Sequence, residues 1–175
     1  MVTVAVSGLH GTGKTTASKA LAKRFDLRYV SAGEVFREMA RERGMSLKRF
    51  SDYVEEHPEI DEKIDDRTAR EAEKDNVLID ARLAGWMAEG ADLRILLTSG
   101  LEERVQRISK RECRPYEEVK RETIAREKSE KKRYSEHYGI DVDDHSVFDL
   151  ILDTGKFNEE EMIKILEHAI KLVSN

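Results

Sequence analysis

At 175 residues, with 38% charged and 6% aromatic side chains, the chain is sized for one globular domain with a core of its own. Its 31 basic residues are nearly matched by 36 acidic ones for a net charge of −5, which excludes a general nucleic-acid coat, and the one cysteine, Cys113, excludes an intramolecular disulfide. No signal peptide or membrane-spanning apolar run is read, so a cytoplasmic protein is expected, and the dense mixed charge is compatible with heat adaptation through ion-pair networks.

In chain order, Val2-Thr3-Val4-Ala5-Val6 is almost wholly apolar and predicts a buried strand. It leads into Gly8-Leu9-His10-Gly11-Thr12-Gly13-Lys14-Thr15, and from there to Phe25 the apolar Ala17, Ala20, Leu21 and Phe25 recur at helical steps. Tyr29-Val30, Val77-Leu78-Ile79, Ile95-Leu96-Leu97 and Leu150-Ile151-Leu152 predict four more short strands, with helix-like segments between them. Such alternation predicts an α/β protein with a parallel sheet covered by helices. Residues 46–74, broken at His57-Pro58, and the charged residues 113–139 interrupt the rhythm as helical excursions. From Asn158, three glutamates in a first turn and the apolar Ile163, Leu166, Ile170 and Val173 predict a helix that closes the core. Without repeats or Gly/Ser-rich linkers, the chain divides into one core of residues 1–45, 75–112 and 147–175 carrying two excursions.

The glycine-rich segment is a phosphate-binding loop. Gly8, Gly11 and Gly13 allow tight turns whose N–H groups converge on a phosphate chain, and a strand before with a helix after is the context this motif requires. Gly8, Leu9, His10, Gly11, Thr12, Gly13, Lys14, Thr15 and Thr16 are therefore expected to hold ATP, with Lys14 reaching the β- and γ-phosphates. Thr15 and Asp80, at the end of the third strand, are the expected ligands of Mg²⁺. His10 fills a variable position of the motif and is read as a spacer.

The acceptor side carries a family resemblance. Ser31-Ala32-Gly33-Glu34-Val35-Phe36-Arg37, Asp80-Ala81-Arg82, the helix from Glu103 to Arg111 and the segment Arg126 to Tyr134 resemble the nucleoside monophosphate kinases. Together with Arg82-Leu83-Ala84-Gly85-Trp86-Met87 and His57-Pro58-Glu59-Ile60-Asp61, they are similar to archaeal-type cytidylate kinases along nearly the whole chain. Asp80-Ala81 departs from the Glu-Gly common in cytidylate kinases, and Ala32 from the hydroxyl that bacterial members often carry near the base. The resemblance implies a three-layer α/β/α fold around a five-stranded sheet, with residues 46–74 binding the monophosphate and 113–139 forming a lid. It further implies that Arg37 and Arg82 grip the acceptor phosphate, that Arg107 and Arg111 serve ATP, and that Arg126 and Arg133 join Lys14 at the transition state.

Several guanidinium forks suit a reaction in which donor and acceptor phosphates repel each other. Reading a cytosine needs both donors and acceptors, which Ser31, Asp61, Asp65 and Arg67 could supply, and Gly33, in the turn after the second strand, is a further substrate-binding candidate. The expected reaction is transfer of the γ-phosphoryl group of ATP to CMP or dCMP by a monomer, with no nucleic-acid or membrane partner. Adenylate or uridylate as acceptor is the alternative. An RNA-associated ATPase using Lys128 to Arg133 is a further one, weakened by the interleaved Glu130 and the absence of an aromatic platform.

Overall fold

The apolar N-terminal run forms β1 (Thr3–Gly8), buried along its whole length. The computed structural model describes residues 2–74 and 76–174, and only the backbone of Lys48, Arg67, Thr68, Glu71 and Ala72 among them. Four further strands, β2 (Arg28–Ser31), β3 (Val77–Asp80), β4 (Leu93–Thr98) and β5 (Leu150–Asp153), join β1 in one sheet of order β2-β3-β1-β4-β5. Every pairing is parallel, and β1 lies at the centre with Val4 in register with Leu78 on one side and Leu93 on the other. All five predicted strands are present, slightly extended where backbone pairing outruns the apolar pattern.

Strand side chains alternate, so β1 serves two layers. Val4 and Val6 join Leu21 of α1 (Lys14–Arg24) with Leu166 and Ile170 of the C-terminal α8 (Glu159–Val173), all fully buried. Ala5 packs instead with Ile79, Ala84 and Ala88 around the short α5 (Ala84–Met87). The result is the expected three-layer α/β/α arrangement. Gly85 gives the Phe148 ring room to pack in it. A Cβ there would lie 2.2 Å from the Phe148 ring, while the Gly85 N–H donates to Ser7 Oγ at 2.9 Å and Trp86 meets Phe148 edge-on at 4.9 Å. The Ala84-Gly85-Trp86 segment is thus a packing signature.

A separate apolar cluster of Ala40, Phe50, Val54, Ile60 and Ile64 holds α2 (Ala32–Glu42), α3 (Leu47–Glu56) and α4 (Pro58–Ala72) together. Pro58 opens α4, a position where its missing N–H costs nothing, so His57-Pro58 divides two helices. Ser46 caps α3 by accepting from the Arg49 N–H at 3.2 Å, and Asn158 and Glu161 form a reciprocal capping box at the head of α8. After α6 (Leu101–Glu112), the charged segment folds as one helix of 23 residues, α7 (Tyr116–Tyr138), closed by Gly139 at φ +64°. Two apolar contacts seat it: Val119 against Val105 and Ile108 of α6, and Tyr134 against Leu83 and Val142. No helix among the described residues is long and apolar enough to cross a membrane.

Candidate active site

The loop between β1 and α1 is shaped by glycines that tolerate no substitute. A Cβ on Gly8, at φ +152°, would lie 2.4 Å from the Leu97 carbonyl oxygen, and one on Gly11, at φ +81°, would lie 2.7 Å from that of Arg104. No side chain caps the first turn of α1, which leaves its leading N–H groups for an anion. Lys14 Nζ donates to the Leu9 carbonyl at 3.1 Å, folded back across the loop. Burial lowers its pKa; Asp80 pulls the other way, and Arg82 adds to the lowering.

Asp80 ends β3 beside β1 and is almost wholly buried. It accepts from Thr15 Oγ1 at 2.8 Å and from the Tyr29 hydroxyl at 2.9 Å. Burial, then the Asp80 charge, push the Tyr29 phenol well above its ordinary range, so it stays a donor. The two expected Mg²⁺ ligands are thereby adjacent hard oxygen donors, the kind of pair that holds Mg²⁺ jointly with phosphate oxygens.

Beside the loop lies a charge cluster that the sequence reading missed. Glu130 of α7, 5% exposed, accepts at one oxygen from His10 Nε2 at 2.9 Å and from Arg126 Nε at 3.0 Å, with Arg82 Nε at 3.8 Å from the other. Neither that second oxygen nor Arg82 Nε completes a hydrogen bond. Burial alone would raise the Glu130 pKa, but His10, Arg126 and Arg82 outweigh it and hold the carboxyl well below the usual range. Burial pushes the His10 imidazole down against the pull of Glu130. His10, read as a spacer, thus links the loop to α7. An arginine four residues before a glutamate on one helix was the only local signal.

The three α6 arginines separate into different roles. Arg104, 4% exposed, is a girder beneath the loop: Nε donates to the Ser99 carbonyl at 3.1 Å, Nη1 to that of His10 at 3.0 Å, and the fork pairs with Glu127. Arg107 reaches the Gly11 carbonyl at 3.3 Å and both oxygens of Thr154. Arg111 is not brought to the loop; it pairs with its exposed neighbour Glu112.

Farther along α7, Arg133 Nε donates to Asp61 at 2.8 Å and Nη1 to Ser129 Oγ at 2.9 Å, and Ser129 in turn bonds Glu55, so α7 is tied to α3 and α4. Arg37 stands over Gly33, where a Cβ would lie 3.5 Å from its Nη1, and it pairs with no carboxylate among the described residues. Ser31, a base-reading candidate, serves as the N-cap of α2, accepting from the Glu34 N–H at 3.2 Å. The side chain of Arg67 lies outside the described residues. Asp65 faces the Tyr138 hydroxyl, which does not reach full hydrogen-bond geometry, and burial pushes its carboxyl up to about 7.

That shift has a definite sign. A raised carboxyl means the folded chain binds the proton more tightly than the unfolded one, so stability falls as pH rises from the ordinary carboxylate range through about 7. Asp65→Asn should remove a loss on the order of 2 kcal/mol across that window, after allowing for residual solvent contact. Urea unfolding of parent and variant at pH values on either side checks it; parallel pH profiles would refute it.

Comparison with known proteins agrees with this geometry. The model of the cytidylate kinase-like family matches residues 3–156. The protein named cytidylate kinase in Methanocaldococcus jannaschii is 47% identical over 171 residues, covering 95% of this chain and 96% of that one. Its counterpart by name in Pyrococcus abyssi is 46% identical over 167 residues, covering 95% and 92%. Among solved structures, shikimate kinases from Bacteroides thetaiotaomicron (TM-score 0.62, 13% identity, 97% of this chain and 98% of that one) and Aquifex aeolicus (0.59, 17%, 97% and 96%) share the fold. With near full-length identity approaching one residue in two, and a phosphate loop facing a set of arginines, the chain belongs to the cytidylate kinase-like family.

Proposed function

We propose that the chain is an ATP-dependent nucleoside monophosphate kinase that transfers the γ-phosphoryl group of ATP to CMP or dCMP, releasing ADP and the corresponding diphosphate. The observation that carries this is the convergence of Lys14, Arg82 and Arg126, from three separate segments of the chain, around one buried anion beside the phosphate loop. A site that assembles so many cations is suited to two phosphate groups that repel each other. The full-length likeness to proteins named cytidylate kinase supports the choice of acceptor.

In this reading the loop N–H groups and Lys14 bind the triphosphate, and Arg107, which reaches the Gly11 carbonyl, acts on the donor side. Arg37 and Arg82 hold the acceptor phosphate, while Arg126 and Arg133 complete the charge stabilisation around the transferred group. Ser31, Asp61, Asp65 and Arg67 are the candidates for reading the base, and a carboxyl near neutrality, as at Asp65, offers a donor as well as an acceptor. Thr15 and Asp80 would hold Mg²⁺, whose charge would offset that of the phosphate chain. No protein base is needed, because the acceptor phosphate is already anionic. Residues 46–74 and 113–139 are the moving parts, closing on the substrates to exclude water. The unit is a cytoplasmic monomer.

A coupled assay with ATP and each of CMP, dCMP, UMP and AMP tests the assignment. We expect CMP and dCMP to exceed AMP by at least about tenfold in kcat/KM, the discrimination available when buried polar groups are left unpaired by the wrong base. AMP turning over faster than CMP would overturn the acceptor; acceptor-independent ATP hydrolysis would overturn the kinase reading itself.

A further inference from the structure

We infer that Thr154, the residue after β5, is a positioning residue for the donor nucleotide: one side chain sets both the backbone of the phosphate loop and the place of Arg107. This rests on the reading that ATP occupies that loop.

Thr154 is 2% exposed and lies in a loop distant in sequence from everything it touches. Its hydroxyl proton is shared between the Thr12 carbonyl at 2.9 Å and the Thr98 carbonyl at 3.1 Å, and its oxygen accepts from Arg107 Nη1 at 3.0 Å. The Thr154 carbonyl accepts from Arg107 Nη2 at 2.9 Å, and its N–H donates to the Thr98 carbonyl at 2.8 Å. A buried group engaged at every polar atom is held in one geometry, and it transmits that geometry to its partners.

Two consecutive loop peptides are fixed by this arrangement. A trans peptide carries its C=O and N–H on opposite sides, so holding the Thr12 carbonyl at Thr154 makes the Gly13 N–H point away from Thr154. The other side of Thr12 is pinned too, because its Oγ1 donates to the Leu9 carbonyl at 2.8 Å. Arg107, anchored twice on Thr154, extends Nη1 to the Gly11 carbonyl at 3.3 Å and so steadies the preceding peptide. Gly11 and Gly13 sit at φ +81° and +90°, conformations with no side chain to hold them. The loop therefore borrows its rigidity from behind, and Thr154 is the joint. Preorganised donors bind without an ordering cost, so the effect belongs to binding of the donor.

Valine has the shape of threonine without its hydroxyl. Thr154→Val should raise the KM for ATP about tenfold, equivalent to about 1.4 kcal/mol, while kcat at saturating ATP and the KM for CMP stay within about twofold. Thr154→Ser, which restores the hydroxyl, should return the ATP KM to within about twofold of the parent. With Arg107→Met as background, adding Thr154→Val should cost less than it does alone, because the two act through one contact. An unchanged ATP KM, an equal rise in both KM values, or failure of serine to rescue would each overturn the proposal. Should the valine variant not fold, Thr154→Ala answers the same question by the same split. A parent protein without ATP-dependent turnover would instead refute the kinase reading, so the two failures are distinct.

Discussion

Lys14→Met should lower kcat by about 10³-fold under saturating substrates, the scale seen when a charge that stabilises a transferring or developing anion is removed. The same change should leave the ligand-free fold at least as stable as the parent. Burial disfavours the Lys14 ammonium, and the attraction of Asp80, though larger than the repulsion of Arg82, does not offset it. Its folded pKa lies below the unfolded value, so between the two the unfolded chain binds more protons and stability rises with pH. Methionine keeps the aliphatic stem and removes that dependence. Steady-state kinetics and melting curves at neutral and alkaline pH check both halves. A variant that retained kcat within tenfold would remove Lys14 from the chemistry.

Arg133→Met is expected to cost about 10²-fold in kcat and, separately, about 3 kcal/mol of stability. The stability loss arises because Arg133 and Asp61 are side chains only 11% and 13% exposed, and Asp61 would be left as a buried carboxylate with its partner gone. Burial already raises the Asp61 pKa against the pull of Arg133. Without the arginine it rises further, so the loss should grow as pH increases past the carboxylate range. Adding Asp61→Asn should recover most of the stability and none of the kcat. If the double variant regained activity, Arg133 would be a structural residue only.

The strands were legible because a central parallel strand is buried on both faces and reads as a continuous apolar run, as Val77-Leu78-Ile79 and Ile95-Leu96-Leu97 do. The division of residues 46–74 at His57-Pro58 was legible for a local reason as well, since proline favours the first turn of a helix. The fates of Arg104, Arg107 and Arg111 were not. Spacings of three and four place them on neighbouring positions of one helical face, but their partners lie on α7, at Thr154 and at Glu112. Glu130 was hidden for the same reason. Within its own segment it is one acid among lysines, and its importance comes from His10 and Arg82, which the fold brings to it from the first loop and the turn after the third strand.

The sequence by itself determined the phosphate loop, because positive φ at Gly11 and Gly13, a strand before and an uncapped helix after are all local requirements. It also determined the layered sheet, through hydrophobic periods that act over a few residues. Only the tertiary structure decided which cations face that loop, which anion balances them and which hydroxyl steadies it. Charge pairing and burial depend on elements such as β5 and α7, which reach the loop only once the sheet has formed.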